Sequence, residues 1–104
     1  LYISIRYTTK YRYDNIIMFL HHKHEKENII TDTIEIDLMD DRGKPFGKGK
    51  NDIRAIEKLI NKNKYLKGNH TFELELAMRE KNNQKIKKLE DIKNISVYIQ
   101  EDNE

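Results

Sequence analysis

Residues 31–49 read TDTIEIDLMDDRGKPFGKG, and their pattern decides the class of the fold. Ile34, Ile36 and Leu38 alternate with Thr33, Glu35 and Asp37, the two-residue period of a strand with one buried and one wet face. Asp40, Asp41, Arg42 and Gly43 then form a turn sequence: Asp suits the early positions, and Gly suits a last position with positive φ. Pro45 cannot donate to a central ladder, so the chain leaves the sheet there or follows an edge. Gly47 and Gly49 leave the backbone free to turn again. Residues 70–76, HTFELEL, repeat the alternation with Phe72, Leu74 and Leu76 on one side. The two stretches together specify a two-faced antiparallel β protein.

A chain of 104 residues is one domain's worth and buries roughly two-thirds of its unfolded surface, enough for one core. Charged and hydrophobic residues each make up 37%, but the apolar ones fall in periodic runs and the net charge is only +2, so the chain is expected to fold. Basic and acidic residues are interleaved, which gives no field that would select nucleic acid. Without cysteine there is no disulfide frame and no thiolate chemistry. No apolar run approaches the ~20 residues that span a bilayer as a helix. The chain begins at Leu1 inside a strand pattern, so an upstream segment carrying localisation signals is expected.

In chain order, Tyr2 to Tyr7 alternates and reads as a strand. Asn15 to Leu20 (NIIMFL) is nearly continuous apolar sequence and reads as a central strand buried on both faces, running on through Lys23 and folding back at Glu25–Asn28 into the strand that holds Ile34. The segment 51–66 is ambiguous. Asp52 as a cap and Ile53, Ile56, Leu59 and Ile60 at helical spacing favour a helix slightly; the rival is a short strand near Ile53 and another over 57–65. Gly68-Asn69 turns into a strand over 70–78. Ile86, Leu89 and Ile92 allow one or two helical turns, and Ile95 to Gln100 closes the domain as a strand. These strands predict a single-domain all-β fold, an antiparallel β-sandwich of jelly-roll or Ig-like kind. Its core is predicted from Ile3, Ile5 and Phe19, from Ile34, Ile36 and Leu38, and from Phe72, Leu74, Leu76, Val97 and Ile99.

Few residues suggest chemistry. On a strand His22 and His24 share a face and invite a metal, but a site needs three or four ligands and only His70 remains outside the cluster 21–24. The plain reading is a solvated strand end. Glu35, Asp37, Glu73 and Glu75 face outward in pairs; carboxylate pairs can do acid–base work, yet outward charge is what solubility requires. Gly43, Gly47 and Gly49 lack the Lys-Ser or Lys-Thr of a phosphate loop and read as turn residues. The basic run 81–88 has no interleaved aromatics and reads as a solvated loop. Tyr11, Tyr13 and Tyr65 either form an aromatic platform for a sugar or peptide or cap the core edges. No catalytic residue, cofactor site or metal site is expected.

The chain also resembles the GldH family of gliding-motility lipoproteins of the Bacteroidota, over essentially its whole length. The resemblance begins with Ile5-Arg6-Tyr7-Thr8 and Tyr13-Asp14-Asn15. It continues through Asp32-Thr33-Ile34-Glu35, Asp41-Arg42-Gly43, Gly47-Lys48-Gly49 and Asp52-Ile53. Its most specific piece is Gly68 to Arg79, GNHTFELELAMR, with a Gly turn, an aromatic strand residue (Phe72) and a closing Ala77-Met78-Arg79. Residues 89–95 and Val97-Tyr98-Ile99 resemble the family's last loop and strand. The chain departs from the pattern at Leu66-Lys67, where the family often has Phe-Pro, and at Leu76, where it often has Gln. The family's N-terminal signal and lipid-attachment cysteine do not appear before Leu1.

The resemblance implies a small all-β lipoprotein of the cell envelope, periplasm-facing, tethered to the membrane by an upstream lipid. It implies no catalytic activity, a role as a subunit or assembly factor of the gliding machinery, and other envelope or motility proteins as partners, with no nucleic acid. It favours a strand over 56–65. The rival function is a carbohydrate- or peptidoglycan-binding module, resting on fold analogy and the tyrosines. Arg79 ends the signature and carries five donors in a planar fork. It is expected to be paired and partly buried, with Asp32, Asp52 or Asp91 as partner, pinning its loop to the sheet.

Overall fold

A computed structural model of the chain describes residues 1–60, 68–79, 84–86 and 88–99. These residues form six strands: β1 (Tyr2–Thr8), β2 (Asn15–His24), β3 (Ile30–Asp37), β4 (Ile53–Leu59), β5 (His70–Leu76) and β6 (Ile92–Tyr98). One antiparallel sheet has the order β4-β1-β6, the other β3-β2-β5. No helix occurs among the described residues. The two sheets stack as a sandwich, and the shortest dimension of the molecule is 20 Å, about two ~10 Å layers with their side chains.

The middle strand of each sheet supplies the centre of the core. Ile3, Ile5 and Tyr7 on β1, and Ile16, Met18 and Leu20 on β2, are at most 2% exposed. Their neighbours in register continue the apolar layer: Ile5 lies between Ile56 of β4 and Ile95 of β6, and Met18 between Ile34 of β3 and Leu76 of β5. Phe72, Leu74, Leu76 and Val97 pack against this core from half-buried positions, as expected of outer strands with one sheet neighbour.

The turn at residues 40–43 forms as its sequence predicts. One Asp40 carboxylate oxygen accepts the N–H groups of Arg42 and Lys44, each at 2.8 Å, and Gly43 takes φ 82°. Pro45 bridges Met39, and Lys48 then pairs with Ala55, so the segment after the turn runs along the open edge of β4. This explains two glycines. A Cβ on Gly47 would lie 2.8 Å from the Ala55 carbonyl oxygen, and one on Gly49 would collide with the Ile53 carbonyl oxygen.

Four expectations are corrected. β2 is buried on one face only: Ile16, Met18 and Leu20 point inward, while Ile17 and Phe19 are half-buried on the outer face, so Phe19 is not a core residue. A continuous apolar run hides which parity is inside, and register with Ile34 and Ile36 decides it. Ile99 lies past the last register pair of β6 and is 46% exposed. The locally favoured helix over 51–66 is instead a strand over 53–59, because pairing with all seven residues of β1 outweighs a short helical spacing. The remainder of the rival strand over 57–65, and of the 56–65 strand the resemblance favoured, reaches into 61–67, outside the described residues. Finally, Ile86 and Leu89 add no helical turn: Ile86 is buried and its N–H donates to the Met78 carbonyl at 2.9 Å.

Candidate functional site

The family-like residues gather mainly at one end of the sandwich, where β1 finishes. Tyr7 is fully buried, and its hydroxyl donates to the Leu38 carbonyl at 2.6 Å and accepts from the Gly47 N–H at 3.0 Å. A β1 residue thereby ties the first sheet to the segment leaving the second. Next to it, the Thr8 N–H donates to the Asp91 carbonyl at 2.9 Å and its hydroxyl to the Asp91 carboxylate at 2.9 Å. The Thr9 N–H donates to the Asp52 carbonyl at 2.8 Å. Asp52 and Asp91 immediately precede β4 and β6, so the end of β1 fixes where both neighbouring strands start. Asn51 and Asp91 hold positive φ, 59° and 69°, which Asn and Asp tolerate better than most residues.

Tyr11 closes the same end over the other sheet. Its ring is 5% exposed, its hydroxyl donates to the Asn15 carbonyl at 2.8 Å, and the Met78 sulfur lies 3.7 Å away. Tyr13 meets it edge-on at 5.8 Å, with Arg12 over the Tyr13 ring at 5.4 Å. Burial, and then Tyr13, push the Tyr11 phenol well above its ordinary pKa. Tyr11 and Tyr13 therefore cap the core edge and offer no open platform; Tyr65 lies outside the described residues. Ala77 extends the β5 pairing by donating to the Ile17 carbonyl at 2.9 Å, and Met78 is buried. Arg79 is exposed where partial burial was expected, and its backbone bridges Lys85. Asp32 and Thr33 are exposed on β3.

The outer face of the second sheet carries Glu35, Asp37, Glu73 and Glu75, as the alternation predicts. His21 bridges its neighbours there, with Nδ1 2.7 Å from the Thr31 hydroxyl and Nε2 3.1 Å from Glu75, which also lies 3.6 Å from Lys85. The His21 hydrogen bond holds the Glu75 carboxyl below its ordinary range; desolvation opposes it, and the Lys85 charge adds to the lowering. On the inner face, His22 and His24 share a side as predicted, and register brings His70 to them. That juxtaposition was missed because residue 70 is remote in sequence; only the β2–β5 pairing makes it a neighbour. Gly68, at φ 127°, faces Glu25 and His24, and a Cβ there would meet the Glu25 carboxylate.

Among the described residues, no group of three His, Cys, Asp or Glu side chains is placed to hold a metal ion. A cleft of about 260 Å³ between the sheets is lined by apolar side chains of β2, β5 and β6 and by Leu89.

Fold and site thus define a small two-sheet antiparallel β protein in which the marked residues join strand ends to loops. The chain belongs to the GldH lipoprotein family, whose sequence model matches residues 1–99. Membership makes it a lipoprotein, associated with the cell envelope through a lipid anchor. No curated protein and no solved structure matches the chain.

Proposed function

We propose that this domain is a non-enzymatic, periplasm-facing subunit or assembly factor of the gliding-motility machinery, working by contact with other envelope proteins. The family match over residues 1–99 carries the reading. The geometry supports it, since Tyr7, Thr8, Tyr11, Gly47 and Met78 spend their polar groups or their space on holding the fold. A residue set kept for structure suits a protein whose task is to present a surface. The test is complementation. The full-length lipoprotein, expressed in a gliding strain that lacks its own family member, restores spreading and forms cross-links to other envelope motility proteins from cysteines introduced on its outer sheet faces. A variant without the lipid-attachment cysteine does neither. An anchored, folded protein that forms no such cross-links overturns the reading.

The carbohydrate-binding alternative has one observation in its favour. Tyr2 and Tyr98 stack at 5.4 Å on the outer face of the first sheet, beside Leu59 in register. Saturation of binding to peptidoglycan fragments, lost in Tyr98→Ser, would favour it over the machinery reading.

A further inference from the structure

Three of the chain's four histidines meet at one end of the inner face of the second sheet. The β2–β5 register sets His24 opposite His70 and His22 opposite Phe72. His22 Nε2 and His70 Nδ1 are 2.9 Å apart, so in the neutral state the N–H of one ring donates a hydrogen bond to the other ring's nitrogen. His70 lies flat on His24, with centroids 4.2 Å apart and planes 4° from parallel, and His22 lies flat on Phe72 at 4.4 Å and 13°. A metal requires nitrogen lone pairs that converge on one point. Among the described residues no group of three such side chains is placed to provide that. The chemistry of this cluster is therefore that of protons.

We infer that the His22–His70–His24 stack is an acid-released latch that fastens the start of β5 to β2. The His22–His70 pair keeps its hydrogen bond on taking up one proton. A second proton leaves two N–H groups facing each other across 2.9 Å, on two cationic rings whose centroids are 5.2 Å apart, with His24 stacked alongside. Among the described residues, the charges bearing on His22 come from three strands and one turn, and Glu27 of that turn also lies 3.9 Å from His24 Nδ1. His70 of β5 and His24 of β2 oppose its protonation, while Asp32 of β3 and Glu27 of the β2–β3 turn favour it. Glu25, in the same turn, accepts the Asn69 N–H at 3.0 Å just before β5 begins. Among the described residues β5 is an edge strand, paired on one side only. Its far end is continued by the Ala77 and Ile86 hydrogen bonds, so repulsion among the imidazoles acts on the end at residues 70–72. Opening there uncovers the inner side of Phe72 and the apolar layer behind it. The inference stands on the histidine geometry alone and does not depend on the motility reading.

The test is nuclear magnetic resonance of the purified chain, following the histidine ring protons and the exchange protection of backbone amides. The expected result is that His22 takes up its proton below the ordinary imidazole range, less so in His70→Asn. The protection of amides in β5 falls about tenfold between about pH 7.5 and about pH 5, while β1 and β6 keep theirs. His70→Asn, which retains an acceptor that does not titrate, and His22→Phe, which retains the stacking, each abolish the selective fall. If one variant fails to fold, the other decides. A His22 titration that is not lowered, an equal loss of protection in both sheets, or a selective fall that persists in the variants would overturn the latch.

Discussion

At the scale of single residues, the structure separates positions that look alike in sequence. Gly43 and Gly47 both read as turn glycines. Gly43 is needed for its backbone: φ is 82° and the space around it is open. Gly47 is needed for room, with the Ala55 carbonyl oxygen 2.8 Å from where a Cβ would stand. Asn tolerates positive φ, so Gly43→Asn is expected to cost under about 1 kcal/mol in denaturant unfolding. Gly47→Ala must push backbone aside and is expected to cost about 1–3 kcal/mol. Tyr7 gives a sharper case. Removing its hydroxyl leaves the Leu38 carbonyl with the Phe46 N–H at 2.9 Å, but takes from the Gly47 N–H its acceptor. Tyr7→Phe is therefore expected to lose about 1–3 kcal/mol by the same measurement, although it is among the mildest changes possible at a fully buried ring. Sequence left Tyr7 free to sit at either face; no local signal says that a hydroxyl 31 residues from Leu38 will close onto its carbonyl.

At the scale of elements, β2 shows how far alternation carries. Its inner residues Met18 and Leu20 are 2% exposed, whereas Phe19, between them, faces outward beside Thr33 and Glu75 in register. Leu20→Ala is expected to cost about 2–5 kcal/mol through the cavity it leaves. Phe19→Ala is expected to cost clearly less despite the larger side chain, because much of the lost contact surface already borders solvent; equal shifts in thermal melting would place Phe19 inside. The elements legible in the sequence are those with a strict period. The strands around Ile34 and Phe72 and the Asp40–Gly43 turn follow their patterns, since one face is wet and the side chains record it. β2 and β4 were less legible for opposite reasons. In β2 the half-buried outer face erases the polar beat. In β4 the apolar residues Ile53, Ile56, Leu59 and Ile60 also satisfy a helix, and only pairing with β1 breaks the tie. The histidine stack and the Thr8–Asp91 contact depend on register between distant strands, which single-sequence periodicity does not encode.

For the whole molecule, the two groups among the described residues whose acidic-range pKa is displaced, Glu75 and His22, both lie on the second sheet and act in the same direction. Glu75, on its outer face, has its carboxyl lowered by His21 and Lys85; a folded pKa below the unfolded value of about 4.3 contributes stability that is fully present above that value and is lost as pH falls through the folded pKa. His22, on its inner face, is lowered by burial and by its histidine neighbours. An imidazole harder to protonate in the folded state than at about 6.5 in the unfolded chain likewise contributes stability at high pH, and loses it once pH falls below that value. Nothing in this pair favours acid, so the melting temperature is expected to be level above about pH 7 and to decline in two stages on acidification. The stages have separate owners. His22→Phe removes the upper decline and leaves the lower; Glu75→Gln removes the lower and leaves the upper. Thermal melts of the three proteins across the range check this directly. If both variants keep the full two-stage decline, acid sensitivity resides elsewhere, and neither face of the second sheet governs how this protein responds to pH.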